Sequence, residues 1–178
     1  MLQKDAVLVD ASSAILLFKA DLFGVLADSF RVVLADSVYN EMIQCGYPGE
    51  SYFRSCSENR RFIIIEPFGR IGRETQVFLD KNSGLDPGER DTLALFAANL
   101  ARFIIIDDAQ AAKFCLKNAI PFINALLVPK VLKLSNYIDE KTCQDYVTRL
   151  QELGRYSAAV INFALHCHDS SLSFFIAK

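Results

Sequence analysis

Short apolar runs alternate with segments of helical periodicity along this chain, and the alternation predicts its fold. The apolar runs cover residues 6–9, 31–35, 62–65, 101–108 and 120–123. Such β-branched runs are typical of strands buried on both faces, as in a parallel sheet covered by helices. Helical patterns are predicted over residues 14–20, from 36 onward, and over 89–100, 109–117, 124–134, 139–153 and 156–168. We therefore expect an α/β protein with a central, mainly parallel sheet, and Pro67 favours an edge position for the third strand.

Carboxylates follow two of the predicted strands. Asp10 comes directly after the first strand, and Asp107 and Asp108 end the 101–108 run. In open α/β sheets ligands bind at the carboxyl ends of the strands, so these acids are the first candidates for chemistry. The structural alternative is that each acid caps the following helix, a role for which Ser12 and Ser13 compete with Asp10.

Two other helices contribute further candidate acids. Glu41 lies about one turn into the helix that Asp36 or Ser37 is expected to cap, too far along for a reciprocal capping box. Glu89 and Asp91 lie in the first turn of a helix that is apolar nearly all round. Acids in a first turn also complement the helix dipole, which is the structural alternative for both.

Parallel strands joined by helices bring their carboxyl ends to one edge, so acids far apart in sequence can converge there. Neighbouring carboxylates cannot all stay ionised without a counter-charge. Because no His or Cys joins the set, Mg²⁺ or Mn²⁺ is the expected counter-ion rather than zinc. A carboxylate and metal site suits phosphoryl chemistry. The sequence has no P-loop, no dinucleotide-binding glycine motif and no Ser-His-Asp set, which excludes the main rival enzyme classes.

Composition narrows the class further. The 178 residues fit one domain, and 52% of them are hydrophobic. A net charge of −2 gives no support to nucleic-acid binding through bulk positive charge, which argues against a pure binding module more than against a metal-dependent nuclease. Five scattered cysteines without a C-x-x-C pair predict free thiols in a reducing cytoplasm. No signal segment and no apolar run of ~20 residues appears, so we expect no membrane association.

Six segments of the chain together resemble the PIN-domain family, and within it the compact toxin-type proteins. They are residues 7–12, 37–42, 88–95, 104–108, 119–126 and 132–138. Each motif alone is weak, whereas their order and spacing are specific. The similarity covers residues 6–138.

This resemblance implies a three-layer α/β/α sandwich in which residues 1–138 form the nuclease domain and residues 139–178 a helical extension packed on it. It implies a metal-dependent ribonuclease that cuts RNA with water activated by Mg²⁺ or Mn²⁺, leaving a 3′ hydroxyl and a 5′ phosphate. It also implies an antitoxin protein as partner, because toxin-type members are often half of a toxin and antitoxin pair.

Site residues carry over motif by motif. Asp10 is then the first metal ligand and Glu41 the second acid, and Ser12 supports the site by hydrogen bonding. The third acid is Glu89 or Asp91, and the fourth is Asp108, with or without Asp107. The metal set predicted from these motifs is Asp10, Glu41, Asp91 and Asp108.

Two alternatives belong to other classes. A catalytically silent PIN-like module would act by binding alone, in RNA processing or in an antitoxin-bound assembly, although all four acidic positions are filled. A phosphorylatable receiver domain also carries paired Asp after a strand, but there the pair should follow the first strand. The apolar tail at residues 172–177, with Phe174, Phe175 and Ile176, is ambiguous between a strand and an oligomer contact, and it predicts a homodimer.

Overall fold

A sheet of five parallel strands forms the centre of the computed structural model, which describes residues 5–67, 69, 71–80 and 84–177. The strands are β1 (Ala6–Val9), β2 (Arg31–Ala35), β3 (Ile63–Ile65), β4 (Phe103–Ile105) and β5 (Phe122–Ile123). Their spatial order is β3-β2-β1-β4-β5, so β3 lies at an edge as predicted. Arg70 and Lys81, which read as surface cations in the sequence, lie outside the described residues.

Helices flank this sheet, which confirms the predicted three-layer α/β/α sandwich. They are α1 (Ala11–Lys19), α2 (Phe23–Ser29), α3 (Asp36–Met42), α4 (Glu50–Glu58), α5 (Arg73–Asp80), α6 (Pro87–Ala97), α7 (Ala109–Lys117), α8 (Val128–Leu134), α9 (Glu140–Leu153) and α10 (Ala158–His166). Two 3₁₀ helices span Ala125–Leu127 and Asp169–Leu172. The apolar helix α6 packs against β1, β2 and β4, and α2 packs against β2.

Two local expectations are corrected. The run 101–108 is a strand only as far as Ile105, because its partner β1 ends at Val9, the residue that pairs with Ile105. Asp107 and Asp108 therefore lie beyond the ladder. Neither Asp36 nor Ser37 caps α3, since the residue at the N-cap position is Ala35 and no side chain bonds there.

The strand order creates a crevice at the carboxyl ends of β1 and β4. From β1 the chain builds β2 and β3 on one side, and then places β4 and β5 on the other. In open α/β sheets such a change of direction opens the crevice in which ligands bind. The N–H of Asp10 donates to the carbonyl of Ile105 at 3.1 Å, which holds Asp10 at this crevice. The topology thus explains why acids about a hundred residues apart in sequence meet.

The apolar tail is not a strand. After the 3₁₀ helix Asp169–Leu172 it turns back onto the domain, where Phe175 packs edge-on against Phe103 with ring centroids 5.1 Å apart. Arg102 lies over the ring of Phe174 and donates to the carbonyls of Phe174 and Ile176.

The described residues also show the state of the cysteines and the character of the helices. All five cysteines are free, as predicted. No helix in the described part of the chain combines the length and the apolar character that crossing a membrane requires.

We predict that Arg102→Ala loosens the tail. The change removes a half-buried ion pair with Asp5 at 2.8 Å together with both carbonyl contacts. Unsatisfied acceptors of this kind cost about 1–3 kcal/mol of unfolding free energy. We expect a lower Tm and faster proteolysis after residue 166, whereas the exposed Arg31→Ala, at the start of β2, should change neither. An unchanged Tm for Arg102→Ala would show that the tail is held by its phenylalanines alone.

Candidate active site

A cleft of about 530 Å³ opens at the carboxyl edge of the sheet. Five of the six acids predicted from the sequence line it, and they are Asp10, Glu41, Glu89, Asp107 and Asp108. The wall of the cleft also includes four residues that bear on its chemistry, namely Asp86, Gly88, Arg155 and Tyr156. The structure therefore brings together four separate segments of the predicted site.

Asp10 is both a helix cap and a wall of the cleft. One carboxylate oxygen accepts the N–H of Ser13 at 2.7 Å and the other accepts the hydroxyl of Ser12 at 2.9 Å. Asp10 is 3% exposed, and burial together with the nearby charge of Asp107 raises its pKa to about 7. The predicted hydrogen bond from Ser12 is present. Asp10 caps α1 and lines the cleft at the same time, so the two interpretations of this residue are compatible.

Asp107 has both oxygens occupied by protein donors. The hydroxyls of Ser13 and Tyr156 each donate to it at 2.6 Å, and the N–H of Ala125 donates at 3.1 Å. These bonds lower the pKa of Asp107, but burial outweighs them and the net shift is upward. A carboxylate with this many donors is fixed in place.

Asp108 differs from its neighbour. It caps α7 through a single oxygen, which accepts the N–H groups of Gln110 and Ala111 at 2.6 and 2.9 Å. Its carboxylate interacts with that of Glu89 across the cleft. Of the adjacent pair, Asp108 thus keeps more of its bonding capacity for a ligand.

Glu89 enters the cleft through a capping box at the start of α6. The Glu89 N–H donates to Asp86 at 2.8 Å, and the Asp86 N–H donates to Glu89 at 2.9 Å. Pro87 at the first helical position has no N–H to leave unpaired, which favours a helix start here. Burial, with smaller contributions from the charges of Asp86 and Asp108, raises the pKa of Glu89 to about 7.

Glu41 lies on α3 beside Gly88. Within the described part of the chain, no protein donor is hydrogen-bonded to its carboxylate. A Cβ at position 88 would lie 3.3 Å from Val38 and 3.6 Å from Oε2 of Glu41, so the glycine keeps the space beside this carboxylate open. Burial and the charge of Asp86 raise the pKa of Glu41. Glu41 is the acid of the cleft most available to a ligand.

Asp91 does not join the cleft. It lines a separate cavity with Asp36, Glu66 and Arg73. Two residues along an α-helix correspond to a rotation of roughly 200°, so Glu89 and Asp91 point in opposite directions. Of the two acids predicted for the third position, Glu89 thus lines the cleft and Asp91 lines the separate cavity. Which of them binds metal stays a prediction.

Three residues of the cleft were missed in the sequence. Asp86 had a local signal, since Asp-Pro-Gly-Glu is a capping-box pattern with proline at the first helical position. Arg155 and Tyr156 had none, because Tyr156 reaches Asp107 across 49 residues of sequence.

The donor chemistry of the cleft fits a hard divalent cation. In the described part of the chain, no three His, Cys, Asp or Glu side chains are arranged to enclose a metal ion. Mg²⁺ does not require such a cage, because it keeps several waters and is commonly held by one or two carboxylates together with substrate phosphate. Burial is the largest cause of the raised pKa values of Asp10, Glu41 and Glu89, and a bound cation would favour the charged form of each acid.

Comparison with known proteins gives one result. A family model described as a PIN domain matches residues 6–169, which is most of the chain. Neither the curated proteins nor the solved structures include a match to this sequence.

We predict that the metal-free protein loses stability as the pH rises. Asp10 and Glu89 have folded-state pKa values of about 7, above the ordinary values of 3.8 and 4.5. From about pH 4 to 7 the folded state holds protons that the unfolded state has released, so the free energy of unfolding falls with increasing pH. Thermal melts in chelator should show Tm decreasing across this window.

Asp10→Asn is the matched variant for this measurement, since asparagine also caps helices. It removes one of the acids whose pKa is raised in the folded state, and we expect a smaller decrease in Tm across the same window. A wild-type Tm that rises between pH 5 and 7 would mean that the acids are compensated within the protein.

Proposed function

Because the chain belongs to the PIN-domain family, whose fold is that of a nuclease, we propose that it is a metal-dependent ribonuclease. The observation that carries this proposal is the cleft at the carboxyl edge of the sheet, which six carboxylate residues line. Phosphodiester hydrolysis needs positive charge at the phosphate and an activated water, and a site made of oxygen ligands supplies both through a bound metal.

In this proposal the metal site comprises Asp10, Glu41, Glu89 and Asp108, of which one or two carboxylates would hold Mg²⁺ or Mn²⁺ directly and the others through bound water. All four are oxygen donors that line the same cleft. When bound, the metal polarises the phosphate and lowers the pKa of a bound water. Asp107 is a supporting residue in this assignment, because its oxygens are already occupied by Ser13, Tyr156 and Ala125.

The residues of the chain then have separate tasks. Ser12 and Ser13 hold the carboxylate of Asp10 in one orientation. In the proposed reaction Glu41, which has no described protein donor, accepts a proton from the attacking water. The water oxygen forms a bond to phosphorus, the bond from phosphorus to O3′ breaks, and O3′ takes up a proton. The products are a 3′ hydroxyl and a 5′ phosphate.

We propose that the protein is the toxin of a toxin and antitoxin pair, with an antitoxin protein and a second copy of the chain as partners in the cytoplasm. The support is the order and spacing of the toxin-type motifs in the sequence. Free cysteines fit a reducing compartment. An apolar helix, α10, exposes Phe163 and Leu165 by 55% and 47%, which offers a surface for a protein partner.

A catalytically silent binding module is the second candidate. The observation in its favour is that, among the described residues, no three potential ligands are arranged around one point. In addition, Asp10, Asp107 and Asp108 each serve as hydrogen-bond acceptors within the fold. Metal binding separates the two candidates, because a silent module has no need of the cation.

We predict that the purified protein cuts labelled single-stranded RNA with Mn²⁺ and not with chelator. Asp10→Asn should reduce the rate by at least a hundredfold, since it removes a charged metal ligand while it keeps the cap of α1. Circular dichroism of the variant serves as the folding control. No cutting by folded wild type, once a co-purifying inhibitor is excluded, would favour the silent module.

We predict that Glu89→Gln and Asp91→Asn have different effects. Glu89 lines the cleft and Asp91 lines the cavity of Asp36 and Glu66, although both lie in the first turns of α6. Glu89→Gln keeps a capping box and removes the charge, so cleavage should fall by two orders of magnitude or more. Asp91→Asn should retain cleavage within a few-fold of wild type. The reverse ranking of the two rates would return Asp91 to the metal set.

A further inference from the structure

The short connection between α9 and α10 reaches into the cleft from the far end of the sequence. Two of its residues, Arg155 and Tyr156, line the cleft together with the acids. The same two residues also line an apolar groove of about 690 Å³ beside α7, β5 and α10. This connection therefore stands at the junction of the cleft and the groove.

Tyr156 fixes the connection in place. Its hydroxyl donates to Asp107 at 2.6 Å. Its ring lies against the backbone of Gly154, where an added Cβ would be 2.4 Å from the ring and 2.9 Å from the carbonyl of Leu150. Only glycine permits this approach. Ser157 then caps α10 by accepting the N–H of Val160, so the backbone is held on both sides of Arg155.

Arg155 is the single basic side chain among the described residues that line the cleft. It is exposed, and in the described part of the chain no carboxylate lies within ion-pair distance of it. Four other arginines of the protein do make ion pairs, namely Arg54, Arg61, Arg102 and Arg149. An arginine that is held at the mouth of an acidic cleft and makes no described ion pair is available to a ligand.

We infer that Arg155 binds a backbone phosphate of the RNA at the mouth of the cleft, and that Tyr156 and Gly154 position it there. The inference rests on the proposed ribonuclease function. A guanidinium binds phosphate oxygens through paired N–H donors, with more directional strength than an ammonium group. RNA approaching six carboxylates is repelled, so a cation at the entrance stabilises the bound RNA.

The position of Arg155 also indicates the direction in which the bound RNA runs across the surface. Because the residue lines both cavities, a phosphate bound to it lies between the cleft and the apolar groove. In this inference the nucleotide beyond that phosphate enters the groove, whose walls include Phe122 and Ile123. Aromatic and apolar walls suit an unstacked base, so single-stranded RNA is the substrate class that this arrangement favours.

The test is the salt dependence of RNA binding. Binding of a short fluorescein-labelled single-stranded RNA is measured by anisotropy in fixed Mg²⁺ over a series of KCl concentrations. All proteins carry Asp10→Asn so that the RNA is not cut. Each phosphate contact on a single strand contributes about 0.7 to the slope of log affinity against log salt.

Arg155→Ala should weaken binding about tenfold and reduce the slope by about 0.7, the signature of one lost phosphate contact. Arg155→Lys should keep the slope and recover part of the affinity. The exposed Arg31→Ala, at the start of β2 on the opposite edge of the sheet, should leave both unchanged. An Arg155→Ala slope equal to that of the parent overturns the inference, and so does an equal loss in Arg31→Ala.

Gly154→Ala tests the positioning role without removing the arginine. The added methyl displaces the ring of Tyr156, so affinity should fall several-fold although Arg155 remains. Gly72→Ala is the matched control, because a Cβ there meets nothing within 4 Å. Unchanged binding by a folded Gly154→Ala contradicts the positioning role.

Failure of the inference is distinguishable from failure of the proposed function. If wild type cuts RNA with Mn²⁺, the Arg155→Ala single variant cuts equally well and Arg155→Ala in the Asp10→Asn background binds as its parent does, only the inference falls. If wild type neither cuts nor binds RNA, both fall.

Discussion

Repulsion among carboxylates in a poorly solvated crevice is the constraint on which this structure depends. A parallel sheet with its switch point between β1 and β4 brings strand ends together whatever residues they carry. Here the residues are acids, and burial raises the pKa of Asp10 and Glu89 to about 7. The fold offsets part of this cost because Asp10, Asp86 and Asp108 also cap helices, where the N–H groups and the helix dipole favour negative charge.

The double use of Asp10 and Asp108 as helix caps and as walls of the cleft explains why local reasoning left both roles open. Asp10 caps α1 and Asp108 caps α7, and both line the cleft. The alternatives of cap and ligand are therefore not exclusive. The capping box of Asp86 and Glu89 also fixes the rotation of α6 about its own axis. With that rotation set, Glu89 faces the cleft and Asp91 faces away.

Strands and most helices could be predicted because their signals are local: β-branched runs, apolar periodicity and capping residues. The resemblance of ordered motifs identified the PIN-domain fold, and the family match confirms it. The short helices α2, α4 and α5 were missed. Of these, α4 buries only Phe53 and Cys56, too few residues for a visible period. Most acids of the cleft were predicted, whereas Arg155 and Tyr156 in its wall were not. No local signal points to them, since the contact of Tyr156 with Asp107 spans 49 residues.

The adjacent residues Asp107 and Asp108 have different structural roles. Asp108 binds two backbone N–H groups through one oxygen, whereas Asp107 accepts from α1, from the 3₁₀ helix after β5 and from the connection after α9. Leaving a buried carboxylate without its donors costs more than an ordinary hydrogen bond contributes. The segments on either side of the boundary predicted at residue 138 thus share one hydrogen-bonded network. Through Asp107, the carboxyl-terminal segment supports the same edge of the sheet that carries the acids.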